Sequence, residues 1–444
     1  MIPEEQLVPR SPASVQPGRG GGLTRFGSLR PLRHREFGLL WSAALVSNIG
    51  TWVQTVAVGA LVTEMTGQAR WTGLVAAASF LPLGLLSPVG GVLADRMDRR
   101  RVLRLTTIGE TMFATLLAVL TATGHATPLN VSLVVLGGGC MAALGFPSYQ
   151  AALPDLVPRD ELLGAMSLAM AQYNLGRVVG PAIAGLVLVL GSYSFAFAVN
   201  AVSFGAVLVA LYLVRLPPPV ATGEEGGIRR RIATGARAAW AEPGCRTAIL
   251  TIGVAAFLLS PFIALIPAVA INLFGKGEGG TSVLITAQGV GAVTGALALT
   301  WVAQRFGRPR ALMVNLIVLP ALLVLYAVSP SLPVAAIALA AVGAAYIGIL
   351  SGLSTVVQLR APTAVRGRIL SLYMVALGTI YPIGAVVQGA LGDRFGLRTV
   401  TAACAVAFAL VVVAVRVARP GLVAALDDPG AGPRTEAAPA APGP

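Results

Sequence analysis

A chain of 444 residues that is 56% hydrophobic and only 11% charged cannot hide its apolar surface in water. Soluble domains carry about 25% charge, so most of this chain must face lipid. Its formal charge of +14 raises nucleic acid as a partner, but the arginines sit in short turns between apolar runs rather than on one domain, and no nucleic-acid partner is expected.

The first 36 residues are rich in Pro, Gly and Arg and hold no apolar core of signal-peptide type. Residues 1–36 are expected to be a disordered cytoplasmic tail ahead of a first span that stays as an uncleaved anchor. A bilayer crossing needs about 20 mainly apolar residues. Runs of that length fall near 37–62, 71–94, 102–123, 129–150, 164–190 and 194–215, then near 247–271, 281–303, 311–328, 332–357, 368–391 and 397–417. This pattern predicts an all-α membrane protein with twelve transmembrane helices in two six-helix bundles, 37–215 and 247–417. The central cytoplasmic loop, 216–246, opens on Pro217, Pro218 and Pro219 and continues as GIRRRIATGARAAW. There Ile228, Ile232, Ala236 and Trp240 recur every fourth residue with arginines off that stripe, which predicts a short amphipathic helix on the inner leaflet. Residues 418–444, rich in Pro, Ala and Gly, are expected to form a disordered cytoplasmic tail.

Of the 32 basic residues, only Arg70, Lys276, Arg394 and Arg398 fall in the alternate set of turns, and only Arg177 lies deep in a span. That bias places the other face, and both termini, in the cytoplasm of a multi-pass protein of the cell membrane. The densest basic turn, GGVLADRMDRRRVLRL from Gly90 to Leu105, joins spans 2 and 3. A weaker copy, WVAQRFGRPRAL from Trp301 to Leu312, joins spans 8 and 9. Superposing Asp95 on Gln304 brings Arg96 onto Arg305, Arg99 onto Arg308 and Arg101 onto Arg310. A second match superposes Ser167 on Ser371 and aligns Leu168 with Leu372, Gly180 with Gly384 and Gly185 with Gly389. Duplicated halves that move against each other are the build of many secondary transporters.

With these motifs the chain resembles the major facilitator superfamily from about residue 30 to 417. That family has a basic signature of the form G-x-L-a-D-R-x-G-R-R, read here as Gly91, Leu93, Ala94, Asp95, Arg96, Met97, Asp98, Arg99 and Arg100, with Asp98 where the family has Gly. Its antiporter element G-P-x-x-G-G is matched in span 5 by Gly180, Pro181 and Gly185, with Ala184 in place of the first paired glycine. Together with VPRDEL, NLGRVVGPAIAG and AVRGRILSLY, the chain resembles the drug and siderophore exporter branch, of the enterobactin-exporter and macrolide-efflux type.

The resemblance implies that spans 2 and 11 approach each other across the halves. Asp95 is then expected to meet Arg366 or Arg368 at the positive end of the span-11 helix and to close an inner gate in the outward-open state. Gln304 replaces the acid in the second copy, so Arg305 and Arg308 are expected to meet Asp155, Asp160 or Glu161 with the charges swapped. In span 5 the spacing of Gly176, Gly180 and Ala184 allows tight helix contact, and Pro181 removes one helical hydrogen bond and permits a kink. The resemblance also implies a cavity lined by spans 1, 4, 7 and 10. Span 1 offers Asn48, Thr51, Trp52, Thr55 and Gly59 on one face; span 7 offers Phe257, Ser260 and Phe262 near Pro261 and Pro267; span 10 offers Tyr346, Ser351 and Ser354. Trp41, Trp71 and Trp301, near span ends, are expected as interface anchors.

Ionisable groups within the membrane are costly and usually functional. Glu110 and Arg177 lie about 12 Å and about 20 Å from the arginine-rich face at the helical rise, and a carboxylate released from and returned to an arginine serves as a proton switch. No G-x-x-x-x-G-K-[ST] motif is present, so ATP hydrolysis through that fold is excluded and the proton gradient is the simplest driving force. Cys140, Cys245 and Cys404 lack metal or pairing spacing. His34 and His125 form no metal or nucleophile constellation, so no metal, cofactor or enzymatic activity is expected. The sequence thus predicts a monomeric, proton-coupled exporter of a hydrophobic or amphipathic small molecule. An uptake symporter on the same fold and a non-transporting receptor or scaffold remain alternatives.

Overall fold

The computed structural model describes residues 27–190, 192–216, 228–362 and 365–418, with Gly421 and Leu426. The expectations for residues 1–26, for Pro217 to Pro219 and for most of the C-terminal tail lie outside the described residues. Among those described, the chain is helix and turn throughout. The first half comprises α1 (Arg35–Thr66), α2 (Ala69–Arg96), α3 (Arg99–Ala122), α4 (Pro128–Ala152), α5 (Leu162–Leu190) and α6 (Tyr193–Leu213). A connecting helix, α7 (Ile228–Ala241), leads to α8 (Pro243–Leu258) and α9 (Phe262–Asn272), which together make the seventh crossing. The chain then continues through α10 (Glu278–Phe306), α11 (Arg308–Ala327), α12 (Leu332–Arg360), α13 (Arg366–Phe395) and α14 (Leu397–Ala418). Eleven segments are long and apolar enough to cross a membrane. Helix α5, 29 residues long with Arg177 its one charge, is a twelfth of matching length.

Local chemistry sets the helix ends. Asp98 caps α3 by accepting from the Arg100 and Arg101 N–H groups. Thr127 and Asn130 form a reciprocal capping box at α4, Ser192 accepts from the Phe195 N–H at α6, and Glu242 accepts from the Cys245 N–H at α8. Each satisfies a donor that a helix start leaves without an internal partner.

The two halves repeat one packing scheme. In the first, α2 packs on α4, α3 on α4 and α6, and α1 on α5 and α6. In the second, α10 packs on α12, α11 on α12 and α14, and α8 on α13 and α14. The halves meet through two equivalent pairs, α2 with α13 and α5 with α10, the signature of a pseudo-two-fold axis between them. Each half has its own apolar core: Val53, Val56, Leu117 and Phe197 belong to one, and Ile252, Leu319, Leu339 and Phe408 to the other.

Several expectations need correction. Within the expected tail, Gly27–Arg33 form a 3-10 helix that packs against α5. There His34 Nε2 lies 3.0 Å from Glu161 Oε2, and Leu32 packs onto the core formed by Phe37, Leu40 and Leu168. At the other end, Leu426 is buried in the second half's core, so its apolar side chain fixes that point of the expected C-terminal tail. Trp41 turns inward, where its Nε1–H donates to the Leu168 carbonyl at 2.9 Å.

Candidate functional site

Gly-Asp-Arg-Phe-Gly-Leu-Arg, Gly392 to Arg398, is a third relative of the basic turn and joins α13 to α14 on the opposite, arginine-poor face. At its bend Gly396 adopts φ 87°, and Gly307 in the second copy adopts φ 85°, a left-handed backbone that suits glycine. The first copy reaches its bend differently. Asp98 takes φ −54° and caps α3, which is how an acid stands where the family signature has glycine.

The arginines of the first turn mostly hold their own half together. Arg99 pairs with Asp155 and donates to the Ala151 carbonyl at 3.1 Å. Arg100 donates to the Leu211 and Tyr212 carbonyls at 2.6 and 2.5 Å, satisfying acceptors that the end of α6 leaves open. Arg104 lies over the Tyr212 ring, 5.1 Å from its centroid. Among the described residues no ion pair joins Arg305 or Arg308 to turn 4–5. Asp155 is taken by Arg99 and Glu161 faces His34, while Arg305 and Arg308 are exposed. Asp95 and Arg96 are also exposed, and among the described residues no hydrogen bond or ion pair joins Asp95 to Arg366 or Arg368. Arg368 instead packs against Gly235 of α7. Space is open beside Gly91 on α2 and Gly367 on α13.

The arginine-poor face is closed. The Asp393 carboxylate, at the end of α13, accepts from the first two N–H groups of α2, Ala69 at 2.6 Å and Arg70 at 3.0 Å. Asn272 Nδ2 donates to the Gly67 carbonyl at 3.0 Å. Gly73 lies against the Ala385 backbone, Gly389 against Ala69, Gly59 against Pro267 and Gly185 against Ser282. Deeper in the seam Gly84 meets Thr379. The halves are thus in contact from the arginine-poor face to the middle of α2 and α13, and nearer the other face a Cβ at Gly91 or Gly367 would meet nothing.

At the middle lies Arg177. Its Nη2 donates to Gln288 Oε1 of α10 at 3.2 Å, and its guanidinium carbon lies 6.0 Å from the centroid of the Trp52 ring. Trp52 meets Tyr173 edge-on at 6.3 Å, and Phe80 meets Tyr381 edge-on at 5.8 Å. The expected Glu110–Arg177 pair does not form. Glu110 is on α3, which packs between α4 and α6, whereas α5 packs on α1 and α10. Glu110 is half-buried and makes no hydrogen bond or ion pair among the described residues.

Other expected cavity residues divide by role. Asn48 donates to the Gln172 and Tyr173 carbonyls at 3.3 and 3.2 Å and packs on Gly176, while Trp52 packs on Gly180. The small residues of α5 therefore fit α1 closely, and α5 runs unbroken through Pro181. Thr55 bonds back to the Thr51 carbonyl of its own helix. Ser260 and Tyr346 are buried rather than cavity-lining, with their hydroxyls 2.8 Å apart. They flank the break between α8 and α9, where Gln388 Nε2 donates to the carbonyls of Phe257 and Leu258 at 2.8 and 3.0 Å. Backbone freed inside a membrane protein needs such partners. Ser351 lies away from this centre, in a groove of about 480 Å³ with Gln304, Arg308, Gly352 and Leu426. Five residues beyond Tyr346, it is turned about 140° around α12. Gln288 and Tyr173 complete the centre and were not foreseen.

Two pseudo-symmetric bundles, joined through α2 with α13 and α5 with α10 and tied together at one face, are the architecture of major facilitator transporters. Similarity in fold agrees. A bacterial homologue of the human lysosomal transporter Spinster, in an inward-facing and occupied conformation, superposes with a TM-score of 0.70 at 15% identity, covering 89% of this chain and 96% of that one. In sequence, the chain is 28% identical to the multidrug efflux pump Tap of Mycolicibacterium fortuitum over 81% of its length and 90% of the relative. It is 30% identical to the enterobactin exporter EntS of Escherichia coli (strain UTI89) over 86% of its length and 91% of the relative. The transmembrane secretion effector profile matches residues 26–429, and the chain belongs to that family of major facilitator transporters.

Proposed function

We propose that the chain exports a hydrophobic or amphipathic small molecule in exchange for protons, by alternating access, as a monomer with no enzymatic activity. The observation that carries this reading is the asymmetric seam: α2 and α13 are tied at Asp393, whereas space is open beside Gly91 and Gly367 toward the face with most of the arginines. The arginine bias puts that face, and both termini, in the cytoplasm of a cell-membrane protein, so the centre is loaded from inside. The two bundles, 37–215 and 247–417, rock about this seam. The linker between them, 216–246, lays α7 on the inner leaflet with Trp240 exposed. Asp95 engages Arg366 or Arg368 when the halves close at the cytoplasmic face. Names of relatives at 28% and 30% identity, an efflux pump and an exporter, support the outward direction. Glu110, a carboxylate within a span and without a partner among the described residues, is the proton carrier in this reading.

Two measurements test it. Cells expressing the chain should accumulate less of a labelled amphipathic compound than cells without it, and a protonophore should abolish the difference. In everted vesicles Glu110→Gln should lose uptake driven by a pH gradient while keeping exchange of labelled for unlabelled compound. Raised accumulation would establish uptake instead, and pH-driven transport by Glu110→Gln would remove the carboxylate from the coupling.

A further inference from the structure

We infer that Arg177 and Gln288 form an anion-recognition subsite, and that the transported molecule carries a single negative charge on an aromatic or apolar body. The inference rests on the exporter reading and names its substrate class. Arg177 is the sixteenth residue of the 29-residue helix α5, so it lies about 20 Å from either end. Among the described residues its partners are a neutral amide and an aromatic face, with no carboxylate within ion-pair distance. An ionised side chain at that depth is expensive without a counter-charge, and the one other ionisable group well inside a span, Glu110, is on a helix that packs elsewhere.

Gln288 supplies the second observation. Gln288 is 1% exposed, and among the described residues its Nε2 has no hydrogen-bond partner. Arginine only donates, so the Gln288 oxygen is the atom committed to Arg177 and the amide N–H groups are left over. A buried donor without an acceptor is unfavourable. A carboxylate, phenolate or enolate placed here accepts from both the guanidinium and the amide. Trp52 lies against the arginine and Tyr173 against Trp52, offering faces and edges to a ring. One guanidinium and one amide match one charge, not the two of a phosphate ester, and they repel an amine.

The test uses three probes with one fluorophore: dansylglycine (a carboxylate), dansylamide (neutral) and dansylcadaverine (an amine). Each is titrated into the full chain in phosphatidylcholine nanodiscs, with energy transfer from tryptophan to dansyl as the readout. Dansylglycine should bind about tenfold or more tighter than dansylamide, the scale of a hydrogen bond to a charged group, and dansylcadaverine weakest. Arg177→Lys should keep a reduced preference and Arg177→Gln should lose it. Gln288→Glu, nearly the same shape, should also lose it by supplying the counter-charge from within, while still binding dansylamide. Equal or reversed ranking in the unmodified chain, no binding of dansylglycine, or a ranking that survives Gln288→Glu would each overturn the subsite. Efflux by cells alongside such a result leaves the exporter reading standing. The expected ranking without efflux of any compound sinks the exporter reading alone.

Discussion

Replacing Asp393 by alanine should open the arginine-poor face. Gln68, the residue ahead of α2, makes no side-chain cap, so the Ala69 and Arg70 N–H groups depend on the carboxylate that α13 brings across the seam. Loss of a helix cap costs about 0.5–2 kcal/mol. Asp393 is exposed, so screening weakens the charge contribution and the cap sets the scale. Because this cap exists only while the halves are closed at that face, about 1 kcal/mol becomes a roughly fivefold shift toward the open state. Spin labels at Thr123→Cys and Val328→Cys, near the ends of α3 and α11 on that face, in a chain whose Cys140, Cys245 and Cys404 are alanines, report the separation by electron–electron resonance. The longer-distance population should grow in Asp393→Ala and less in Asp393→Asn, which keeps an acceptor. An unchanged distance distribution in Asp393→Ala would refute the latch.

Three further outcomes are expected. Asp95→Asn should reduce vesicle transport while the amount of protein in the membrane stays the same; full transport would free Asp95 from any gating role. Asp98→Ala should cost about 1 kcal/mol and Asp98→Gly only a few tenths, because glycine restores the left-handed route that Gly307 and Gly396 take; thermal melts followed by tryptophan fluorescence should rank them so. A Cβ on Gly291 would collide with the Ala340 carbonyl oxygen, whereas one on Gly367 would touch nothing. Gly291→Val should thus destabilise the chain by at least the roughly 1–3 kcal/mol of an overpacked core and spoil its gel-filtration profile, and Gly367→Ala should leave both unchanged.

The spans were legible because their signals are local: apolar length and the arginines at the turns place most helix ends within a few residues of where they fall. Partnership across helices was not legible. Depth along an axis suggested Glu110 with Arg177, but depth says nothing about which neighbour a helix packs on, and α3 and α5 turn to different ones. Asp155 and Glu161 were expected to reach across the halves, yet Arg99 and His34 are available to them within the same half. The cavity expectation covered spans 1, 4, 7 and 10, so Gln288 on α10 and Tyr173 on α5 were passed over. The turn at Gly392 to Arg398 did carry a readable signal, since Asp393, Arg394 and Gly396 repeat the pattern of Asp95, Arg96 and Asp98, but on the face where few arginines were sought.

Where Gly73 rests on Ala385 and Gly389 on Ala69, main chain bears on main chain. Such a surface can roll without any long side chain having to withdraw and reseat, so tilting one bundle on the other costs little rotamer entropy. It also means that even a methyl group added at either glycine would act as a wedge, setting the resting angle of the machine from a point far from its cargo.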